Sequence, residues 1–372
     1  MDSSFDPQLS SKFISAPAEI RRAIYAHLIP SQIHLSLGEK GLLRLAPCVQ
    51  HDNDGDADCI NQRTNDAGLV VWRDVYARGP DPDPIQALRL RSSWGPHWRC
   101  EEQMRRGCSR ESDRTVMSLL LVCKRMYTDI IETMVDLTAI QINDLETLSL
   151  LAPEGRGMLG SEPSSPTSVL STYLLPNLKY LHITLRLPFS IYEALEHVPD
   201  FSSTSNSEPS LLSAWTDIRL TINEHLPKLR ELRIWLDHDG LESWSLLNER
   251  AVLSPLASLS NNPRLQVSIN LPKLHPRWES AERHFINDSS ALPLIIHRRY
   301  RQRHHGIVNP RDGSLSIEEK GDFPAMYPLG NEEWMGTMEK VEEMERDEWA
   351  EGRDPTRIID SFMSVHHIDP PA

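Results

Sequence analysis

Two short pairs hold the side chains best suited to chemistry. Cys48-x-x-His51 and His97-x-x-Cys100 are mirror images of each other. Thiolate sulfur and imidazole nitrogen are ligands that zinc prefers, and two of each close a tetrahedral site that staples chain segments together. Single Cys and His residues in loops also fall into such pairs while filling separate polar or packing roles. The sequence therefore assigns no metal and no cofactor, and keeps Cys48, His51, His97 and Cys100 as a candidate ligand set. Asp52, Asp54, Asp56 and Asp58 alternate as in a calcium loop, but Cys59 stands where that loop needs glycine and Asn65 where it needs a bidentate acid. A solvated acidic loop is the preferred reading.

Nucleophilic catalysis finds no Gly-x-Ser-x-Gly elbow, and Gly38 to Gly41 lacks the Lys-Ser/Thr sequel of a phosphate loop. The expectation is a protein that is not an enzyme. A formal net charge of -14 over 372 residues argues against nucleic acid, because phosphate binding needs a surplus of Lys and Arg along one surface. Protein partners are the default. There is no run of about twenty apolar residues and no charged-then-apolar leader after Met1, so neither a membrane span nor a secretory signal is expected. The five cysteines, Cys48, Cys59, Cys100, Cys108 and Cys123, are an odd number without framework spacing. Reduced thiols fit a cytoplasmic or nuclear setting.

The elements that must position these residues are most readable from Asp113 to Leu148. Val116, Leu119, Leu120, Cys123, Met126, Tyr127, Ile130 and Met134 recur at steps of three and four, which predicts a helix capped by Asp113. Leu137, Ile140 and Ile142 then predict a strand. Upstream, Ala16 to Leu28 predicts a helix opened by Pro17, burying Ile20, Ala23, Ile24, His27 and Leu28 and stopped by Pro30. Each large aliphatic buried there would stabilise by about 1.5 to 3 kcal/mol. Ile33, Leu35 and Leu37, followed by Gly38 to Gly41 and then Leu43 and Leu45, predict a β-hairpin. From Gln50 to Arg110 the text reads as a loose insertion with an anchor at Trp94 and Trp98.

One pattern returns downstream. Leu178, Leu181, Ile183 and Leu185 share their spacing with Leu229, Leu232, Ile234 and Leu236, and Leu265, Val267, Ile269 and Leu271 give a shorter version. Helices are expected between them, at Leu211 to Glu224 and Leu241 to Leu259, so the strands should run parallel. Unequal intervals favour a short, irregular leucine-rich-like layer over a regular solenoid. Trp235, in a strand, reads as core. Toward the end, His297 to His305 is basic and predicts a solvated helix face paired with the acidic helix Asn331 to Glu351, on which Trp334, Met338, Val341 and Glu345 share a side.

Ala16-Pro17-Ala18-Glu19-Ile20-Arg21-Arg22-Ala23-Ile24-Tyr25 and Leu120-Leu121-Val122-Cys123-Lys124-Arg125-Met126-Tyr127 resemble the two halves of a degenerate F-box. The wider arrangement of helix, hairpin, Trp94 to Cys100 insertion and helix-strand unit resembles a large uncharacterised group of filamentous-fungal F-box-like proteins, over roughly residues 13 to 240. That resemblance implies a module that packs on a Skp-type adaptor and brings an unknown substrate to a cullin-type (SCF) ubiquitin ligase. Pro17, Ile20, Ile24, Leu28, Leu120, Val122 and Tyr127 are then the adaptor-binding or core-closing cluster. Ala16 in place of the usual leucine, and the long stretch between the halves, depart from the family pattern. A self-contained interaction domain without a ubiquitin role, or a zinc-stapled domain, are the alternatives. The expected fold is α/β, divided into an F-box-like part with hairpin and insertion (13–135), a leucine-rich-like layer (136–275) and a charged helical C-terminal region (276–372).

Overall fold

The structure, a computed structural model, describes residues 11–37, 43–50, 63–64, 70–71, 89–106, 122–151, 174–197, 212–286, 294–302, 304–309, 311, 315–326 and 337–357. Along the chain the helices that matter below are α1 (Lys12–Ser15), α2 (Ala18–Leu28), α3 (Trp98–Arg105), α4 (Lys124–Leu137) and α5 (Leu145–Ser149). They are followed by α6 (Phe189–Glu196), α7 (Ser213–Thr216), α8 (Ile218–His225), α9 (Glu249–Val252) and α10 (Met338–Ala350). The strands are β1 (Gln32–Leu37), β2 (Leu43–Pro47), β3 (Arg63–Thr64), β4 (Val70–Val71), β5 (Ala139–Ile142) and β6 (Tyr180–Leu187). Beyond them come β7 (Glu231–His238), β8 (Gln266–Pro272), β9 (Ile295–Arg299), β10 (His304–Val308) and β11 (Leu315–Glu319).

Seven strands form one sheet in the order β2-β1-β5-β6-β7-β8-β9. Only the β1/β2 hairpin is antiparallel; every other neighbour pair is parallel, as helical crossovers require. The recurring leucine pattern sets the register: Leu181 faces Leu232 and Leu232 faces Val267, while Ile183, Ile234 and Ile269 line up beside them. These side chains, with Ile33, Leu35, Ile140 and Ile142, join a single buried cluster with Trp215, Ile218, Ile222 and Leu256 from the crossover segments. The fold is a mixed α/β architecture. Its sheet takes strands from all three segments that composition separates, β9 included. No helix among the described residues is long and apolar enough to cross a membrane.

Several expected elements are corrected. The helix expected from Asp113 begins at Lys124, where the Cys123 thiol accepts from the Met126 amide; Asp113 and Leu120 lie outside the described residues. Leu137 ends that helix and is exposed, and the next strand starts at Ala139 and gives way to a helix at Leu145. Thr138 and Asn143 bound a strand of only four residues. Leu241 to Leu259 is not one helix but short turns of 3-10 and α type: the α turn ends at Val252, and Pro255 stands in the opening of the 3-10 turn that follows. The Leu211 to Glu224 helix divides at Asp217.

The basic run His297 to His305 is not a solvated helix face. It supplies β9 and a buried ion cluster, because the sheet edge needs its backbone for pairing. Arg299 and Arg301 both reach the buried Asp237, and Arg301 also reaches Asp322. Arg298 grips the buried Glu249 with two bonds of 2.5 and 2.8 Å. Among the described residues the basic run meets the acidic helix where the Tyr300 hydroxyl donates to Glu342 of α10. On α10, Met338, Val341 and Glu345 share a side as expected and that side is buried, while Trp334 lies outside the described residues.

This cluster gives the fold a pH dependence. Burial, helped by Arg301, pushes the His305 imidazole down to about 4 and the neighbouring His238 to about 2, from ordinary values of 6.5. Burial acts to raise Asp237, but Arg301 and Arg299 outweigh it and hold the carboxyl well below its usual range. A histidine whose folded pKa is depressed takes up a proton on unfolding, so stability is complete above about pH 6.5 and falls as pH is lowered toward 4. Below that, His305 is protonated in both states and its share levels off, while the losses from His238 and Asp237 continue. Urea unfolding at pH 7, 5.5 and 4.5 should show a steady fall in midpoint, and His305→Leu should flatten the upper part of it.

Candidate functional site

The helix α2 turns the opposite face inward from the one its apolar pattern predicts. Tyr25 is fully buried and Arg21 is 2% exposed, whereas Ile20, Ile24 and Leu28 are 54%, 40% and 42% exposed. The physical reason is α4. Its Asp129 accepts from Arg21 Nε at 2.6 Å, and Arg21 Nη1 donates to the carbonyls of Ala16 at 2.5 Å and Ile14 at 3.4 Å. The hydrogen bond to Asp129 raises the guanidinium pKa further, so its charge is permanent. Tyr25 meets Phe13 edge-on at 5.6 Å and joins Ile14, Met126, Ile130 and Met134 in the core. A buried charge keeps its place only where it is paired, and that pairing fixes the rotation of the helix.

Ile20, Ile24 and Leu28 therefore form an i, i+4, i+8 stripe on the outside. Of the other adaptor-cluster residues, Pro17 is exposed at the N-cap of α2, Val122 is 49% exposed just before α4, and Tyr127 is half-buried against the core. Burial of Ile20, Ile24 and Leu28 is thus overturned, while their place on one helix face holds.

The thiol and imidazole residues converge on the other face of the sheet. His34 sits in β1, Cys48 directly follows β2, His97 ends a 3-10 turn (Gly95–His97), and Cys100 lies in the first turn of α3. One ligand atom from each lies within 4.8 Å of all the others. Cys48 Sγ is 3.7 Å from Cys100 Sγ and 3.4 Å from His97 Nδ1, and also bonds the Gln50 carbonyl at 3.4 Å. Hydrogen bonding from Cys48, with the imidazoles of His34 and His97, holds the Cys100 thiol well below its ordinary range against the opposing effect of burial. Three of the four sequence candidates thus meet, and His51 lies outside the described residues. The residue that sequence reasoning missed is His34. Its signal was its phase: it alternates with Ile33 and Leu35, so it must face away from the apolar core.

That second face is polar along its whole width. His34, Gln141, His182, Arg233, Ser268 and Asn270 stand on neighbouring strands. Residues 89–106 cross it, held by Arg186 Nη1 donating to the carbonyls of Leu90 and Ser92, both at 3.1 Å. Gly95 has φ +53° and sits on the Trp235 ring, where a Cβ would come within 2.7 Å of ring carbon. Trp235 is partly exposed and not core: Arg299 stacks on it at 4.0 Å. Beside this strap an open cleft of about 550 Å³ runs over the strands, with Gln50, Pro96 and His97 as one wall.

Residues 6–155 match the family model of a domain of unknown function (DUF7730), a span that contains α2, the hairpin, α4 and all four thiol and imidazole residues. No curated protein matches the chain, and no solved structure does.

The two faces of α2 predict opposite responses. Arg21→Ala strands Asp129 and removes the donors to two carbonyls, and should cost about 3 to 5 kcal/mol. Ile24→Ser, on the outer stripe, should change stability by no more than about 0.5 kcal/mol. Urea denaturation of both variants measures the contrast.

Proposed function

We propose that this chain is a non-enzymatic protein-interaction module that docks through α2 onto a Skp-type adaptor, in the manner the F-box resemblance implies. The carrying observation is the exposed stripe of Ile20, Ile24 and Leu28 on a helix whose other face is locked inward by Arg21 and Tyr25. Large aliphatics repeating at i, i+4 and i+8 on a solvent-facing helix suit insertion into a partner's apolar groove. Pro17 and Val122, both exposed, would extend the contact. In this reading the polar sheet face and its cleft select the protein that the adaptor complex delivers to a ubiquitin ligase. Its mixture of Arg233, Glu231, His182 and amide side chains suits a polar polypeptide segment, and the net charge of -14 disfavours nucleic acid. A cytoplasmic or nuclear location follows from that role.

Co-expression with a fungal Skp-type adaptor, followed by size exclusion with light scattering, tests the proposal. The wild type should form a one-to-one complex. Ile20→Asp combined with Ile24→Asp should abolish it while leaving the thermal midpoint within a few degrees, because neither side chain supports the core. A well-folded wild type that forms no complex, or a complex indifferent to the double substitution, would remove the adaptor role and leave a self-contained interaction domain.

A further inference from the structure

We propose that His34, Cys48, His97 and Cys100 bind one zinc ion in a tetrahedral site of two sulfurs and two nitrogens. Zinc bonds of about 2.3 Å to sulfur and 2.0 to 2.1 Å to nitrogen place tetrahedral ligands about 3.8 Å apart for two sulfurs and about 3.6 Å apart for sulfur and nitrogen. Cys48 Sγ lies 3.7 Å from Cys100 Sγ and 3.4 Å from His97 Nδ1, and all four ligand atoms lie within 4.8 Å of one another. A disulfide would need the sulfurs at about 2.05 Å, so the two thiols are not joined, and their spacing matches that of two ligands of one ion.

The surroundings fit the same occupant. Asn143 Oδ1 lies 2.8 Å from His34 Nδ1, which makes Nδ1 the protonated nitrogen and leaves the lone pair on Nε2. That Nε2 is fully buried, and the Cys48, His97 and Cys100 ligand atoms cluster around the His34 ring within 4.8 Å. Metal-bound imidazoles are commonly oriented by such a second contact. Trp94 stacks on the His34 ring at 5.0 Å and His97 meets that ring edge-on at 4.9 Å, so the site is walled by aromatic surface. The Val49 amide donates to Cys100 Sγ at 3.4 Å, as an amide does to a thiolate. Two thiolates and two neutral imidazoles also cancel the charge of a divalent ion, which a buried site requires.

The ligands come from three places in the chain: the middle of β1, the exit of β2, and the junction of the 3-10 turn with α3. A bound ion would pin residues 89–106 to the edge hairpin. Because His97 and Pro96 also line the cleft, it would hold one wall of that cleft in place.

The test uses the full chain, purified under reducing conditions. Elemental analysis should find about one zinc per chain, and a chelator should lower the thermal midpoint. Replacing zinc by cobalt(II) should give the strong visible bands of a tetrahedral thiolate-imidazole site, a readout that needs no variant to fold. Cys48→Ser, Cys100→Ser and His34→Ala should each weaken cobalt binding by on the order of 100-fold or more, beyond what loss of an outer-shell partner costs, while His51→Ala leaves it unchanged. Three results would overturn the site: a reduced wild type that takes up neither metal, a Cys48–Cys100 disulfide in place of metal, or uptake that survives Cys48→Ser and Cys100→Ser. Loss of binding in His51→Ala but not in His34→Ala would overturn the ligand set.

Discussion

Alternation along the strands is the constraint on which everything else rests. Successive side chains of a strand point to opposite faces, so six parallel strands in register give the sheet two chemistries. One face carries Leu181, Ile183, Leu232, Ile234, Val267 and Ile269 and is closed by the crossover segments. The other carries His34, Gln141, Thr184, Arg233 and Asn270. Apolar burial stabilises the first at about 25 cal/mol per Å². The second has to be satisfied bond by bond, as Gln141 is by Thr184 at 2.6 Å. A segment crossing that polar face cannot be held by hydrophobic contact alone, and here Arg186, Gly95 and the thiol and imidazole cluster hold residues 89–106 instead.

The N-terminal helices obey a different limit, the cost of an unpaired buried charge. Helix α2 has two faces that composition alone barely separates: Ile20, Ile24 and Leu28 on one, Arg21 and Tyr25 on the other. Asp129 decides between them. Once Arg21 is drawn under the helix, its carbonyl contacts close the α1/α2 corner and the aliphatic stripe is left outside. The apolar surface left outside in this way is the physical basis of the adaptor role proposed for the chain.

Much of the fold was legible because period and register are local properties. The hairpin, the strands at Leu181, Leu232 and Val267, and the parallel order all follow from spacing. What failed was rotation and long-range partnership. The moment of α2 pointed its isoleucines inward because the pattern cannot display an aspartate 108 residues away. The basic run around Arg299 resembled a solvated helix because its partners Asp237 and Asp322 lie in other segments of the chain, beyond the reach of a local pattern. The same holds for the site. Cys48, His97 and Cys100 were visible as short pairs, but His34 belongs to no pair; only pairing of β1 with β2 and β5 brings it beside them.

The outward rotation of α2 is the central claim, and hydroxyl-radical footprinting of the isolated chain reads it most directly. Ile20, Ile24 and Leu28 should be oxidised at rates typical of exposed aliphatics, with Tyr25 protected despite the greater intrinsic reactivity of its ring. Protection of the three aliphatics together with rapid oxidation of Tyr25 would contradict the account, since the helix would then be turned the other way and the proposed docking surface would be part of the core.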